Sequence, residues 1–501
     1  MKTALTHTGL LCAFAMQAQP GWQQFFMPTT DLACVVRDLV EHPSGDVYAV
    51  LLESNPDGTT GSRLVHLLDD GEPIGNVALQ GERVIGMDLH VHPSGDLWTV
   101  AVSGQVGAES GIELIRHGPN LALLGTTKAM YDPQYRPYSL QACMDGDGFL
   151  TVAFNRLNLD AWGDQAFHAL QFNPQGDSIR SALLREYYAY GHVNSMTTHP
   201  SGGFVLNSSG SFWGDTASVV SAAYLTYLND TLGIMGSLPL PHVDPSEWNP
   251  HNSPHTPSQT HCLANGEMLV SGRYWPDISD FRGSVLQHLD STAQVLRQWV
   301  NNGPEFFDLP GDNSTFDLTP DGHIYIAQTE NAFWQGVLYP WWEWPTRIRL
   351  FKLNGEFEQV GEYLVDGFVD DTYYFLYGVK GAADGGVFLY GSVCSTLPGS
   401  HPRAWVRKFG PDELVGVPEV DRSHMRLYPN PGSAGFQVML KEPVANAVLT
   451  LLNAHGQVCA SLPVNGLGAV VDTGQLAVGL YFVRLHDRLG YVLHTARWVK
   501  E

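Results

Sequence analysis

Side chains suited to recognition chemistry crowd into a few irregular stretches of this 501-residue chain. Trp213 and Asp215 stand together, Trp275 is followed by Asp277 and Asp280, and Trp334, Trp341, Trp342 and Trp344 sit close in sequence. Flat aromatic faces stack on sugar rings or anchor a protein partner, and neighbouring carboxylates hold hydroxyls or a cation. The same tryptophans could instead pack on one another, because aromatic side chains bury large areas and staple long loops. Residue types alone leave both readings open.

A second cluster runs from Pro241 to His261, where His251, His255 and His261 offer nitrogen ligands for a metal ion. Helical presentation of these histidines is excluded by Pro250, Pro254 and Pro257. No cofactor is otherwise expected. No nucleophile elbow, HExxH, phosphate loop or GxGxxG run occurs. Acid–base pairs assembled from distant loops leave no such motif. The expectation is therefore a non-catalytic binding protein for a glycan or protein ligand. The alternatives are a glycan-active hydrolase or lyase using the same carboxylates, or a purely structural envelope component.

A repeat must position these stretches. HPSG occurs at His42–Gly45, His92–Gly95 and His199–Gly202, each before a strand-like run. Looser copies end at Gly148, Gly266, Gly322 and Gly385, with Ser, Asp or Asn before each glycine. That pairing predicts a tight turn whose glycine takes positive φ. A second hairpin follows in each unit, a strand and polar turn ending at Gly71, Gly176, Gly233 and Gly355, and more loosely at Gly118, Asp290 and Gly410. Four short strands per unit, seven times, with no helical run, predict an all-β fold: a seven-bladed β-propeller over 31–417. An array of β-sandwiches is the alternative. Antiparallel order puts the short turns at one end of each unit and the irregular aromatic connections at the other. The repeats resemble NHL-type and other bacterial propellers, as in Thr319–Ala327 (TPDGHIYIA). That fold hosts many activities.

His42, His92 and His199 recur at turn positions and read as structural. Cys34, Cys143, Cys262, Cys394 and Cys459 are scattered singly, so buried free thiols are expected. If a disulfide forms, Cys34 and Cys394 are the pair that ring closure would bring together. The formal charge of −24 argues against nucleic-acid partners. Residues 1–18 read as a signal peptide, with 19–30 as an N-terminal segment and 418–426 as a linker. No apolar run is long enough for a transmembrane segment.

Residues 427–501 read as a small antiparallel sandwich of about seven short strands. Its landmarks are Tyr428-Pro429-Asn430-Pro431, the turn at Gly456, and Gly479 beside Tyr481, where a close backbone neighbour is expected. This series resembles the C-terminal sorting domain of the type IX secretion system of Bacteroidetes-type bacteria. The resemblance implies an Ig-like domain recognised by the secretion machinery, and a protein secreted or held at the cell surface via the periplasm.

Overall fold

The computed structural model describes residues 21–26, 33–54, 60–79, 84–104, 110–132, 135–158, 165–187, 191–213, 219–241, 255–273, 283–301, 309–311, 313–330, 345–367, 371–396, 400–413, 425–428, 431–433, 435–453, 457–486 and 492–500. The expected signal peptide and most of the expected linker lie outside them. Two compact units divide between Val415 and Gly416. No helix among the described residues is long and apolar enough to cross a membrane.

The larger unit is built from repeated antiparallel sheets. Strand β1 (Trp22–Phe26) precedes them. The first sheet holds β2 (Cys34–Glu41), β3 (Val47–Ser54), β4 (Thr60–Leu67) and β5 (Pro73–Ala78); the second β6 (Ile85–Val91), β7 (Leu97–Ser103), β8 (Ser110–His117) and β9 (Leu123–Asp132). In the third are β10 (Tyr135–Met144), β11 (Leu150–Asn158), β12 (Gln165–Phe172) and β13 (Ser178–Tyr187). The fourth comprises β14 (Gly191–Thr198), β15 (Phe204–Trp213), β16 (Val219–Leu228) and β17 (Ile234–Pro239). The fifth comprises β18 (His255–Cys262), β19 (Met268–Arg273), β20 (Ser284–Leu289) and β21 (Val295–Asn301). In the sixth, β22 (Leu309–Pro310) and β23 (Phe316–Leu318) share the first position, followed by β24 (Ile324–Glu330), β25 (Arg347–Leu353) and β26 (Gln359–Asp366). The seventh holds β27 (Thr372–Gly381), β28 (Val387–Ser395) and β29 (Arg403–Phe409).

The fourth place in the seventh sheet is taken by β1, which pairs antiparallel with β29 from Trp22↔Lys408 to Phe26↔Ala404. The segment expected to precede the repeats is thus their last strand. Trp22 fixes it: the indole Nε1–H donates to Asp69 O at 2.8 Å, and the ring lies where a Cβ on Gly71 would be, 2.5 Å away. Apolar residues from adjacent sheets form a core at every junction. One such core joins the last sheet to the first through Phe388, Tyr390 and Val406 against Val36, Ala49 and Val65. Burying such side chains contributes about 1.5–3 kcal/mol each.

All seven repeat glycines have positive φ, from 83° at Gly322 to 98° at Gly202, as the turn reading requires. The second turns differ from the first. Gly71 and Gly176 are left-handed, but elsewhere the positive φ falls on Leu121, Leu232, Ala293 and Phe357. An Asx turn shapes the loop: Asn229 Oδ1 accepts the N–H groups of Thr231 and Gly233, and Asn354 Oδ1 those of Glu356 and Glu358. Leu232 and Phe357 then bury their side chains between sheets, which offsets the left-handed cost of about 1–2 kcal/mol.

The smaller unit holds β30 (Met425–Tyr428), β31 (Gly435–Asn453), β32 (Val458–Asp472), β33 (Gly479–His486) and β34 (Val492–Lys500). Among the described residues these are five strands where about seven short ones were expected, and β31 and β32 run long. Register shifts divide β31 near Met439–Ala447, and both halves feed one core with Tyr481, Val483 and Trp498. Strand β30 begins two residues inside the expected linker. Among the described residues no atom lies within 4 Å of an added Cβ on Gly479, whose φ of +155° suits glycine. Tyr481 is buried and donates to Ala477 O at 2.7 Å, whereas Tyr428 is 70% exposed. Pro431 is exposed at the surface; Pro429, Asn430 and Gly456 lie outside the described residues.

Candidate functional site

Trp213 is the last residue of β15 and faces Val219 across the connection 214–218. Asp215, Trp275, Asp277, Asp280, Trp334, Trp341, Trp342, Trp344 and His251 lie outside the described residues. The connections that carry the tryptophans and aspartates leave the ends of β15, β19 and β24, opposite the turns at Gly202, Gly266 and Gly322. His255 and His261 stand on one strand, β18, where His255 pairs with Arg273 and His261 with Leu269. At about 3.3 Å per residue they are separated by much of the strand's length. Among the described residues no group of three or more His, Cys, Asp or Glu could hold a metal ion.

Described side chains with unusual chemistry meet elsewhere, in a cavity of about 630 Å³ lined by the first strands of all seven sheets. Two recurring repeat positions supply much of it. Seven residues before the turn glycine stand Asp38, Asp88, Gln141, Ser195 and Gln259; five before it stand Val40, His90, Thr197, His261, Asp317 and Lys380. Strand alternation turns both positions to the same side. Bulges immediately before Asp38, Asp88 and Ser195 bend the strands there.

Several of these side chains brace neighbouring sheets. Leu89 N donates to Asp38 Oδ2 and Ala142 N to Asp88 Oδ2, both at 2.7 Å. Thr260 N donates to Ser195 Oγ at 2.8 Å, Thr315 N to Gln259 Oε1 at 2.8 Å, and Gly381 N to Asp317 Oδ2 at 2.9 Å. Ser139 Oγ donates to Val193 O at 2.7 Å, and Ala383 N to Glu41 Oε2 at 2.6 Å. Every junction between adjacent sheets, the last with the first included, thus carries a side-chain bond. A buried backbone N–H left without an acceptor costs about 1–3 kcal/mol, so these bonds fix the inner wall.

Burial, then the charge of Asp88, pushes the Asp38 carboxyl up to about 7. Asp88 is itself desolvated, but His90, whose Nε2 lies 3.3 Å from Asp88 Oδ1, the shared hydrogen bond with Asp38 and the Ala142 N–H together hold it low. Lys380 is raised: desolvation opposes its charge, and Asp317, Asp38 and Asp88 outweigh that penalty. Burial lowers His261, with Asp317 opposing and Lys380 reinforcing the shift. Tyr390 donates to Asp38 Oδ1 at 3.3 Å. The cavity thus combines anionic, cationic and neutral donors and acceptors. Its signal in the sequence was a fixed offset from the repeat glycine, visible only when the seven copies are superposed.

The turn histidines are structural, as expected. His42 Nδ1 accepts from Ser44 N at 3.1 Å, and its Nε2 lies 3.1 Å from Gly95 O, tying one turn to the next. His92 stacks on Trp98 with ring centroids 4.5 Å apart. Among the described residues the cysteines are unbridged; Cys34 and Cys394 are buried free thiols.

Comparison with known proteins bears on both units. Among curated proteins, none matches this sequence. An α-L-arabinanase of Penicillium chrysogenum, solved with arabinobiose, superposes with a TM-score of 0.42 at 14% identity, covering 70% of this chain and 98% of that one. PorZ, a surface component of the type IX secretion system of Porphyromonas gingivalis, gives 0.31 at 10% identity over 96% of this chain and 70% of its own. The β-propeller domain of the Trilobed protease from Pyrococcus furiosus gives 0.40 at 12% identity, covering 74% and 95%. Residues 426–497 match the family described as the secretion system C-terminal sorting domain. They span most of β30 to most of β34 and include the buried Tyr481 and Val483. The smaller unit is accordingly a type IX secretion sorting domain, and the chain that carries it is exported to the cell surface or secreted.

Proposed function

We propose that the exported body is a seven-bladed β-propeller, closed by β1, that binds a glycan through its irregular loop end and has no catalytic role. The sorting domain is an Ig-like sandwich in this reading, with β31 and β32 each crossing from one layer to the other. The secretion machinery is its partner. One observation carries the binding assignment: the connections bearing Trp275, Asp277, Asp280 and Trp334–Trp344 leave the same strand ends as the one after Trp213. The opposite ends are consumed by short turns whose side chains bond to one another. Residues recruited for recognition favour loops held on a rigid scaffold. Aromatic faces beside carboxylates suit sugar rings with their hydroxyls.

The test is an array of glycans and polysaccharides probed with the full mature chain from Gln19 and with its Trp275→Ala and Trp342→Ala variants. Binding by the parent, weakened about tenfold or more in the variants at unchanged thermal stability, is the expected result. Absence of binding to every glycan by the parent overturns the assignment.

A further inference from the structure

We infer that the central cavity is itself a binding site, separate from the loop end, for a small neutral polyhydroxylated molecule of mono- or disaccharide size. The inner wall divides into side chains that accept a backbone N–H from a neighbouring sheet and side chains that make no hydrogen bond of their own. Asp38, Asp88, Ser195 and Asp317 each accept a backbone N–H from a neighbouring sheet. The side chains of Gln141, Thr197, His261 and Lys380 have no hydrogen-bond partner among the described residues, Lys380 feeling the charges of Asp317, Asp38 and Asp88, and Gln259 uses its Oε1 while its Nε2 stays unused. Four different sheets contribute these five side chains to one cavity.

Their chemistry selects the ligand by elimination. An apolar molecule would strand them, at about 1–3 kcal/mol for each group left unsatisfied. A phosphate-like dianion would meet Asp88 and Asp317. A bare metal ion would meet the Lys380 ammonium, and no metal-holding group exists among the described residues. The unused groups are mixed: Lys380 offers donors only, while Gln141, Thr197 and a neutral His261 offer both donors and acceptors. A hydroxyl also both donates and accepts, so a polyol can satisfy each in turn. The volume of about 630 Å³ lies within the range of small-molecule sites, roughly 300–1,000 Å³.

The experiment is calorimetric titration of the full mature chain with neutral pentoses, hexoses and their disaccharides. It is repeated on Thr197→Val, which keeps shape and removes the hydroxyl, and on Gln141→Met. Neither residue carries a bond between sheets, so both variants keep the fold, checked by near-UV circular dichroism. At least one saccharide is expected to bind with one-to-one stoichiometry, and each variant to weaken it about tenfold. Absence of binding across the panel overturns the inference, as does binding unchanged in both variants. Binding abolished by Trp275→Ala and retained by both cavity variants also overturns it, while leaving the loop-end assignment standing. Should one variant unfold, the other decides.

Discussion

Asp38 and Asp88 occupy the same repeat position on neighbouring strands and share a hydrogen bond, while each also accepts a backbone N–H from the sheet beyond it, at 2.7 Å. Two carboxyls so close cannot both ionise without cost, and a proton held between them relieves it. The brace and the strain are therefore one arrangement. The wall is held by acids whose charges compete, with Lys380 offsetting part of the excess.

A pH dependence follows. Asp38 titrates at about 7 in the fold against an ordinary 3.8. Below about pH 4 both folded and unfolded states hold this proton; between about 4 and 7 only the folded state does, so stability from this group falls as pH rises through that window. Asp88, held low, works in the opposite sense: its contribution is present above its ordinary range and is lost as pH falls through its depressed one. Asp38→Asn removes the first titration whatever its baseline cost. Urea denaturation of both proteins at pH 5 and pH 8 should show the parent losing on the order of 2 kcal/mol relative to the variant. Parallel profiles would refute the coupled pair.

The second turns predict an inversion of the usual glycine rule. Glycine at positive φ ordinarily stabilises, by removing a left-handed cost of about 1–2 kcal/mol. Leu232, at φ 66°, is buried against Phe204 and Leu228, and truncating such a leucine costs about 2–5 kcal/mol. Leu232→Gly should therefore destabilise by about 2 kcal/mol. Ala293→Gly, at φ 62°, gives up only a methyl group and should be close to neutral. Thermal midpoints of the two variants separate these outcomes; a more stable Leu232→Gly would contradict the burial argument.

These residues also mark how far the sequence could be read. The seven first-turn glycines were legible because a tight turn with positive φ requires glycine or a close substitute, and the HPSG and Asp-Gly pairs advertise it. At the second turns Gly233 and Gly355 do not mark the left-handed position, because an Asx turn set by Asn229 or Asn354 moves it to a leucine or phenylalanine that tertiary burial supports. Strand β1 was illegible for another reason. Its partner β29 lies near the other end of the repeats, so nothing local in WQQFF signals pairing. The cavity was hidden by alternation. A single polar residue such as Ser195 or Gln259 reads as an interruption in one strand, and only its recurrence at the same offset makes a wall.

The sorting domain permits the sharpest separation of fold from function, because its contacts form a unit of their own. Lys500 anchors it internally. Its buried ammonium donates to Leu476 O at 2.6 Å and to the carbonyls of Thr473 and Gly474, closing the turn before β33. Lys500→Met takes the ammonium from these carbonyls, of which Thr473 O keeps the Leu476 N–H, and should destabilise the domain by about 1–3 kcal/mol, with the unfolding of the body unchanged. Deleting Leu427–Glu501 goes further: the body, whose seven junctions carry their own cores and braces, should fold but accumulate in the periplasm. Cell fractionation with protease accessibility distinguishes the outcomes. Surface display of the truncated chain would mean that the address lies outside the region carrying Tyr428, Tyr481 and Trp498. Periplasmic chain that is protease-sensitive throughout would mean that the body needs this domain to fold.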